Sequence, residues 1–134
     1  MTNVGLVKQF LDELVNHKKL SAIETFVAKD MLEHEKFPDG IPSTRTGLIE
    51  LFEILHRAFP DLCVVIEDTV IEGNKVVARQ TWTGTHQADF FGKVASGKAI
   101  KFSSIDIIRI ENSKITEHWG ESNWLRLLEQ LKTP

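Results

Sequence analysis

Two segments near the end of the chain carry the side chains best suited to acid/base chemistry. Asp106 lies in the otherwise apolar run Ser-Ile-Asp-Ile-Ile-Arg-Ile at residues 104–110, and His118 lies in Lys-Ile-Thr-Glu-His-Trp at residues 114–119. A carboxylate on an apolar wall is either paired or has its pKa raised by desolvation. If the segments are neighbouring strands, Asp106 would orient the imidazole of His118 and make it a base near neutral pH. We take Asp106 and His118 as the candidate catalytic pair; the alternative is a purely structural polar pair.

Side chains alternate across a strand, so only one face of each segment can line a cavity. On the last strand His118 and Gly120 share one face, whereas Glu117, Trp119 and Glu121 share the other. Glu121 would reach a cavity lined by His118 only if a β-bulge turned the strand locally. On that condition Glu121 is a candidate substrate-binding residue.

Four further residues are candidates for shaping a substrate pocket. Ser104 shares its strand face with the candidate carboxylate, and Trp82 shares a face with His86 near the end of another strand. His34 stands shortly before a loop at residues 38–47 that contains two prolines and two glycines, and such loops often border binding sites. Two alternatives stay open. His34 could be a solvated or capping residue, and His86 could bond to the loop that follows its strand.

Metal binding is an alternative that the sequence supports less well. Five side chains could in principle converge as a nitrogen and oxygen ligand set: His34, His86, His118, Asp106 and Glu121. No two of them have a spacing that is diagnostic of a metal motif. The only cysteine, Cys63, lies in an apolar run, which predicts a buried small side chain and not a nucleophile. We therefore predict no metal and no cofactor.

The length and composition are those of an ordinary globular protein. The 134 residues contain 42% hydrophobic and 26% charged side chains, which predicts one domain over residues 1–134 with room for a small cavity. A net charge of −3, with 16 scattered Lys and Arg residues, gives no electrostatic case for a nucleic-acid partner. The apolar runs are too short to span a membrane and no signal peptide is recognisable, so we predict a cytoplasmic protein without a membrane partner.

Periodicity and turn signals divide the chain into the elements that must position these side chains. Helical spacing of apolar residues dominates the first half, and β-type runs dominate the second. The predicted elements are helices at 1–19, from 21 and at 46–59, strands at 30–37, 61–72, 75–86, 98–110 and from 114, and a closing helix capped by Ser122 with Leu125, Leu128 and Leu131 on its apolar stripe. This order predicts an α+β fold with helices on the concave face of a curved antiparallel sheet.

Short phrases spread along the chain resemble one protein family. They are Ala-Phe-Pro-Asp-Leu at 58–62, Gly-Asn-Lys-Val at 73–76, Gly-Thr-His at 84–86, Gly-Lys at 97–98, Ile-Asp-Ile-Ile-Arg-Ile at 105–110 and Lys-Ile-Thr-Glu-His-Trp at 114–119. In this order, over nearly the whole chain, they resemble the SnoaL-like polyketide cyclases of the NTF2-like superfamily. The resemblance implies a cone-shaped α+β barrel with a pocket between sheet and helices, and a homodimer formed through the outer face of the sheet.

The resemblance also implies a reaction, and this sequence departs from the family's pattern at three positions. Characterised cyclases of the family close a ring by an intramolecular aldol reaction without metal or cofactor. Their essential carboxylate corresponds to Gly120 here, and a polar pocket residue that is histidine in those enzymes corresponds to Asp106. Asn123 stands where relatives often carry an aspartate. The roles of the family's residues therefore do not transfer unchanged.

These observations lead to two functional hypotheses from different classes. The first is a cofactor-independent lyase or isomerase that acts on a small hydrophobic, polyketide-like carbonyl compound, with Asp106 and His118 as its acid/base pair. The second is a non-catalytic protein that binds an apolar small molecule. The glycine at position 120 favours the second, and the concentration of Asp106, His118 and Glu121 near one strand end favours the first.

Overall fold

The computed structural model describes residues 1–132, which form four α-helices and five strands. Helix α1 continues into a single π-helical turn, Asp12–Asn16, and the last strand is followed by the closing helix. In chain order the elements are α1 (Asn3–Leu11), α2 (Ser21–Phe26), β1 (Val27–Glu33), α3 (Arg45–Ala58), β2 (Cys63–Glu72), β3 (Lys75–Thr85), β4 (Ala99–Glu111), β5 (Lys114–Ser122) and α4 (Trp124–Gln130). The predicted α+β class is confirmed.

The five strands form one sheet in the order β1-β5-β4-β3-β2. Strands β2 to β5 are an antiparallel meander, in which two-residue turns join β2 to β3 and β4 to β5. Strand β1 pairs in parallel with β5, so the prediction of a wholly antiparallel sheet is wrong at this edge. No short turn joins β1 to β5, and a parallel partner needs a long connection, which the intervening chain provides. The strand expected at residues 30–37 also begins earlier, at Val27.

The helices cover the inner face of the sheet and leave its outer face exposed. The apolar face of α3 buries Leu51, Phe52 and Leu55, and the inner face of the sheet contributes Trp82 and Phe102 to the same core. Irregularities in the register of β1, β2 and β4 interrupt the ladders, and such bulges increase the local twist of a sheet. Within residues 1–132, no helix combines the length and the apolar character that crossing a bilayer requires.

The closing helix begins one residue later than its predicted cap. Ser122 is still part of β5, and the side chain of Asn123 caps α4 by accepting a backbone N–H bond of 3.0 Å from the first turn. The buried side of the helix is formed by Leu127 and Leu131, whereas Leu125 is 69% exposed. The predicted stripe was therefore wrong at Leu125, because the buried side of the helix lies at Leu127 and Leu131.

Candidate active site

A cavity of about 90 Å³ lies between the helices and the inner face of the sheet. Most of its wall is apolar and comes from α1, α3 and the strands. Its polar side chains are Glu33, Glu35, Gln80, Ser104, Asp106, His118 and Ser122. A largely apolar cavity with a few convergent polar groups is typical of a small-molecule site.

The imidazole of His118 lies between two carboxylates within this cavity. Its Nε2 is 2.7 Å from Oδ1 of Asp106, and its Nδ1 is hydrogen-bonded to Oε2 of Glu33. The register explains the first contact: Asp106 is opposite Gly120, so it is diagonal to His118 on the same face of the sheet. The Glu33 side chain is only 1% exposed. Both ring nitrogens of His118 are therefore paired with acidic groups.

The two carboxylates decide the ionisation of His118. Burial alone would lower the pKa of the imidazole, but hydrogen bonds and charges from Asp106 and Glu33 outweigh it and raise the pKa to about 10. The ring therefore carries its proton at neutral pH. This differs from the expectation of a neutral histidine base, since a protonated ring can donate a proton or stabilise negative charge but cannot accept a proton.

Asp106 is held from its other side by a chain of hydrogen bonds. Ser104 Oγ lies 3.0 Å from Asp106 Oδ2, and Trp82 Nε1 donates to Ser104 Oγ over 2.9 Å. Ser104 Oγ accepts the hydrogen bond from the indole, so its own hydroxyl proton can be donated to Asp106, or to Gln80 Oε1 at 3.4 Å. The carboxylate thus receives donors at both oxygens and is fixed against the cavity wall.

A third carboxyl group, that of Glu35, occupies the space beside Gly120. A Cβ on Gly120 would lie 2.3 Å from Glu35 Oε1 and 2.8 Å from Asp106 Oδ1. The other oxygen of Glu35, Oε2, accepts hydrogen bonds from Ser122 Oγ at 2.8 Å and Trp124 Nε1 at 3.3 Å. A carboxyl group therefore lies at the position that the sequence of β5 leaves without one.

The environment of Glu35 favours its protonated form. Burial raises its pKa, and the charges of Asp106 and Glu33 act in the same direction. The hydrogen bond from Ser122 and the charge of His118 lower it, but they do not compensate.

Glu33 and Glu35 are not among the site residues predicted from the sequence, although the sequence carries a signal for them. Residues 30–37 are predicted to be extended, and His34 is the only candidate site residue among them. Alternation along this segment places Glu33 and Glu35 on the face of Met31 and Phe37, two side chains that are buried in the core. Polar side chains in phase with core residues should have identified the inner face.

Four of the seven predicted site residues line the cavity, and His34 is one of the three that do not. Asp106, His118, Ser104 and Trp82 are part of the cavity wall. His34 points to the outer side of the sheet, where its Nε2 is 2.7 Å from Glu117 and its ring stacks on that of Trp119 at 5.0 Å. Hydrogen bonds from His34 and Arg109 lower the pKa of Glu117 there. His34 alternates away from Glu33 and Glu35, which explains its position.

His86 and Glu121 also lie outside the cavity. His86 is fully buried, accepts a hydrogen bond from the backbone N–H of Ser96 at 3.2 Å and packs on Phe59. This matches the alternative role, bonding to the following loop. Glu121 is exposed opposite Ile105, in a stretch of regular register, and the irregularity in this strand pair lies further along, so the required bulge is not there. Cys63, expected to be buried, is only half-buried.

One group of residues in the described chain has the spacing of a metal site. Ligand atoms of Glu35, Asp106 and His118 lie within 4.8 Å of one another. Of the five ligands considered from the sequence, only Asp106 and His118 come together. Both ring nitrogens of His118 are hydrogen-bonded, to Asp106 and to Glu33, so a metal would have to replace one of these bonds. The nitrogen and oxygen donors suit several divalent ions, and the absence of a metal stays a prediction.

Comparison with known proteins agrees with the fold. The sequence pattern of the SnoaL-like polyketide cyclases matches residues 5–131. No curated protein sequence matches the chain. Among solved structures, a candidate polyketide cyclase from Bacillus cereus is 30% identical, with a TM-score of 0.81 over 96% of this chain and 79% of the other.

Two Streptomyces proteins are similar over nearly their full length. AclR from Streptomyces galilaeus, a candidate hydroxylase, is 28% identical, with a TM-score of 0.85 and coverage of 98% of this chain and 97% of AclR. TsrD from Streptomyces laurentii is 27% identical, with a TM-score of 0.81 and coverage of 96% and 94%. With its NTF2-like fold and the match over residues 5–131, the chain belongs to the SnoaL-like polyketide cyclase family.

Proposed function

We propose that the protein is a cofactor-independent lyase or isomerase of the cyclase type, which acts on a small hydrophobic carbonyl compound. The observation that carries this proposal is the Glu33–His118–Asp106 hydrogen-bonded chain in the wall of an apolar cavity. The apolar wall suits a hydrocarbon skeleton, and the charged chain lies where a carbonyl group of a bound ligand would be polarised.

The chemistry that this arrangement supports is proton removal from carbon beside a carbonyl group. Asp106 is the base of the pair: it takes the proton, and the electron pair of the C–H bond forms an enolate or enol. His118 is the cationic member, and its positive charge offsets the negative charge that develops nearby. Glu33 keeps the imidazole protonated and oriented. Such an enol can then re-protonate elsewhere, eliminate a leaving group or attack a second carbonyl.

Deuterium exchange into 2-tetralone, an apolar ketone with acidic protons beside its carbonyl, tests this chemistry directly. In buffered D2O the wild-type protein is expected to accelerate exchange, followed by NMR, and Asp106→Asn is expected to lose about 100-fold or more, since a positioned acid or base contributes about 10²–10⁴-fold. The exposed Glu50→Gln serves as control. Exchange is measured with and without a chelator, because Asp106 also belongs to the possible metal group. Unchanged exchange in Asp106→Asn would contradict the proposal.

The second candidate, a non-catalytic binding protein, is favoured by one observation. Both ring nitrogens of His118 already have protein partners, so the chain could be a purely structural feature. The exchange experiment separates the two: a binding protein would hold 2-tetralone without accelerating exchange, in the wild type as in Asp106→Asn.

We also infer that two copies associate through the outer face of the sheet. Val65, Val70 and Ile105 are 52%, 60% and 50% exposed on this face. Sedimentation is expected to show a dimer, and Ile105→Glu is expected to shift it to the monomer because a charge would be buried in the apolar contact. The same change at Val94, which is 75% exposed in a loop, is the control. A wild-type monomer would contradict the inference.

A further inference from the structure

We propose that Glu35 is the proton donor that acts opposite Asp106, and that Gly120 is the feature of β5 that admits its carboxyl group into the site. This inference rests on the proposed function, since it names the partner in the same proton transfer. Sequence reasoning assigned Glu35 no role, and β5 carries no carboxyl group at position 120.

The hydrogen bonds of Glu35 leave one of its oxygens available. Ser122 and Trp124 both donate to Oε2, at 2.8 and 3.3 Å. Oε1 points towards Gly120 and the carboxylate of Asp106. The side chain is thus oriented from behind, and its free oxygen faces the polar end of the cavity.

The Glu35 carboxyl group can occupy this position because residue 120 is a glycine. A Cβ at residue 120 would lie 2.3 Å from Glu35 Oε1 and 2.9 Å from His118 Cε1, distances that non-bonded atoms do not adopt. Any other residue at 120 would therefore displace the Glu35 carboxyl group. The glycine and the glutamate are two parts of one arrangement, in which the segment after β1 supplies the acid in place of β5.

The backbone fixes Glu35 relative to the charged chain. Glu33 Oε2 accepts the backbone N–H of Glu35 at 3.1 Å, and the same oxygen pairs with Nδ1 of His118. The groups that face Glu35 are therefore Asp106, Glu33 and the cationic His118 from the strands, with Ser122 and Trp124 as neutral donors. Burial raises the pKa of Glu35 above its ordinary value, and the two acidic neighbours add to this effect.

Two neighbouring carboxyl groups in different environments can divide the work of enolisation. Asp106 accepts the proton from carbon, and the C–H electron pair forms the new C=C bond. The carbonyl π pair moves to oxygen, which receives the proton of Glu35. The product is an enol, Asp106 is protonated and Glu35 is ionised, so atoms and charge balance. In D2O both groups exchange with solvent, and the reverse step delivers deuterium to carbon.

Glu35→Gln tests the role because the amide keeps the shape but cannot donate the proton. We expect 2-tetralone exchange to fall by about 100-fold or more, as for loss of a general acid. The wild-type rate should decline as pH rises through the pKa of Glu35, which burial raises above its ordinary value, and this decline should disappear in the variant. A separate decline near pH 10, where His118 loses its proton, should remain in both proteins. The control is again Glu50→Gln.

Moving the carboxyl group to β5 provides a rescue experiment. Glu35→Ala empties the space, and the double variant Glu35→Ala/Gly120→Asp returns a carboxyl group to it from the other side. The exchange rate of the double variant is expected to be at least about tenfold higher than that of Glu35→Ala. A purely structural role of Glu35 would not produce this recovery. A folded double variant that is no more active than Glu35→Ala would contradict the inference.

The outcomes distinguish this inference from the proposed function. If the wild type exchanges 2-tetralone and Asp106→Asn does not, but Glu35→Gln remains active or shows the same pH profile as the wild type, Glu35 is not the donor and the proposed function stands. If the wild type itself does not accelerate exchange, both fall. If Glu35→Gln loses exchange and also loses the decline that Glu35 causes below the pKa of His118, both are supported.

Discussion

His118→Ala is expected to lower the free energy of unfolding by about 3–5 kcal/mol at pH 7, the usual cost of removing one partner from a buried ion pair. The change leaves Glu33 and Asp106 without the cation between them, and the Glu33 side chain is only 1% exposed. Urea denaturation of the wild type and the variant measures the difference. His17→Ala is the matched control, since the side chain of His17 is 68% exposed and pairs only with surface groups.

The pH dependence of the free energy of unfolding tests whether the paired charge of His118 causes this stabilisation. The pKa of His118 is about 10 in the folded protein, compared with 6.5 for an ordinary histidine. Below pH 6.5 the ring is protonated in both the folded and the unfolded state, and its contribution to stability is complete. Above pH 6.5 only the folded state keeps the proton, so the free energy of unfolding falls as pH rises towards 10. His118→Ala should lack this decline. If His118→Ala had the same free energy of unfolding as His17→Ala at pH 7, the pairing of His118 would contribute nothing to stability.

The part of the site that lies on β4 and β5 could be predicted from the sequence. The two strands are joined by the tight turn at Asn112 and Ser113, whose positive φ angles of 51° and 60° are typical of such hairpins. A short turn fixes the register, and alternation then decides the face, so Asp106 and His118 could be assigned to one wall. The same rule assigned Ser104 to this wall.

The contribution of β1 could not be predicted in this way. Glu33 and His118 are 85 residues apart in the sequence, and no local turn relates their strands. Periodicity shows which face of a segment is apolar but does not show which strand it pairs with or in which direction. The parallel pairing of β1 with β5 therefore could not be predicted from the sequence, and neither could the position of the two glutamates that complete the site.

Gly120 illustrates the same limit from the opposite direction. The residue alone indicates a lost carboxylate and so favoured a binding protein. The structure shows that Glu35 occupies the adjacent space, and that Gly120 permits this. A departure from a family's pattern can thus reflect a group supplied by another element, which only the three-dimensional arrangement reveals.

Gly120→Asp is the change that tests this shared space most directly. The new Cβ would overlap Glu35 Oε1 at 2.3 Å, and its carboxylate would add a negative charge beside Asp106. Overpacking a core site costs about 1–3 kcal/mol, and the uncompensated charge adds to it, so we expect a loss of about 3 kcal/mol or more in the free energy of unfolding at pH 7. Gly120→Asn has the same size without the charge and should lose less.

The dependence of this loss on Glu35 decides what it means. In the Glu35→Ala background the closest overlapping atom, Glu35 Oε1, and one acidic neighbour are absent, whereas the contacts with Asp106 Oδ1 at 2.8 Å and His118 Cε1 at 2.9 Å remain. Gly120→Asp should therefore cost less there than in the wild type. Residues in direct contact show coupling energies of about 0.5–3 kcal/mol in double-mutant cycles, and we expect this pair near the upper end. Equal losses in the two backgrounds would mean that the Glu35 carboxyl group does not occupy the space beside Gly120. A large coupling would show that the Glu35 carboxyl group occupies the space beside Gly120, as its proposed role as proton donor requires.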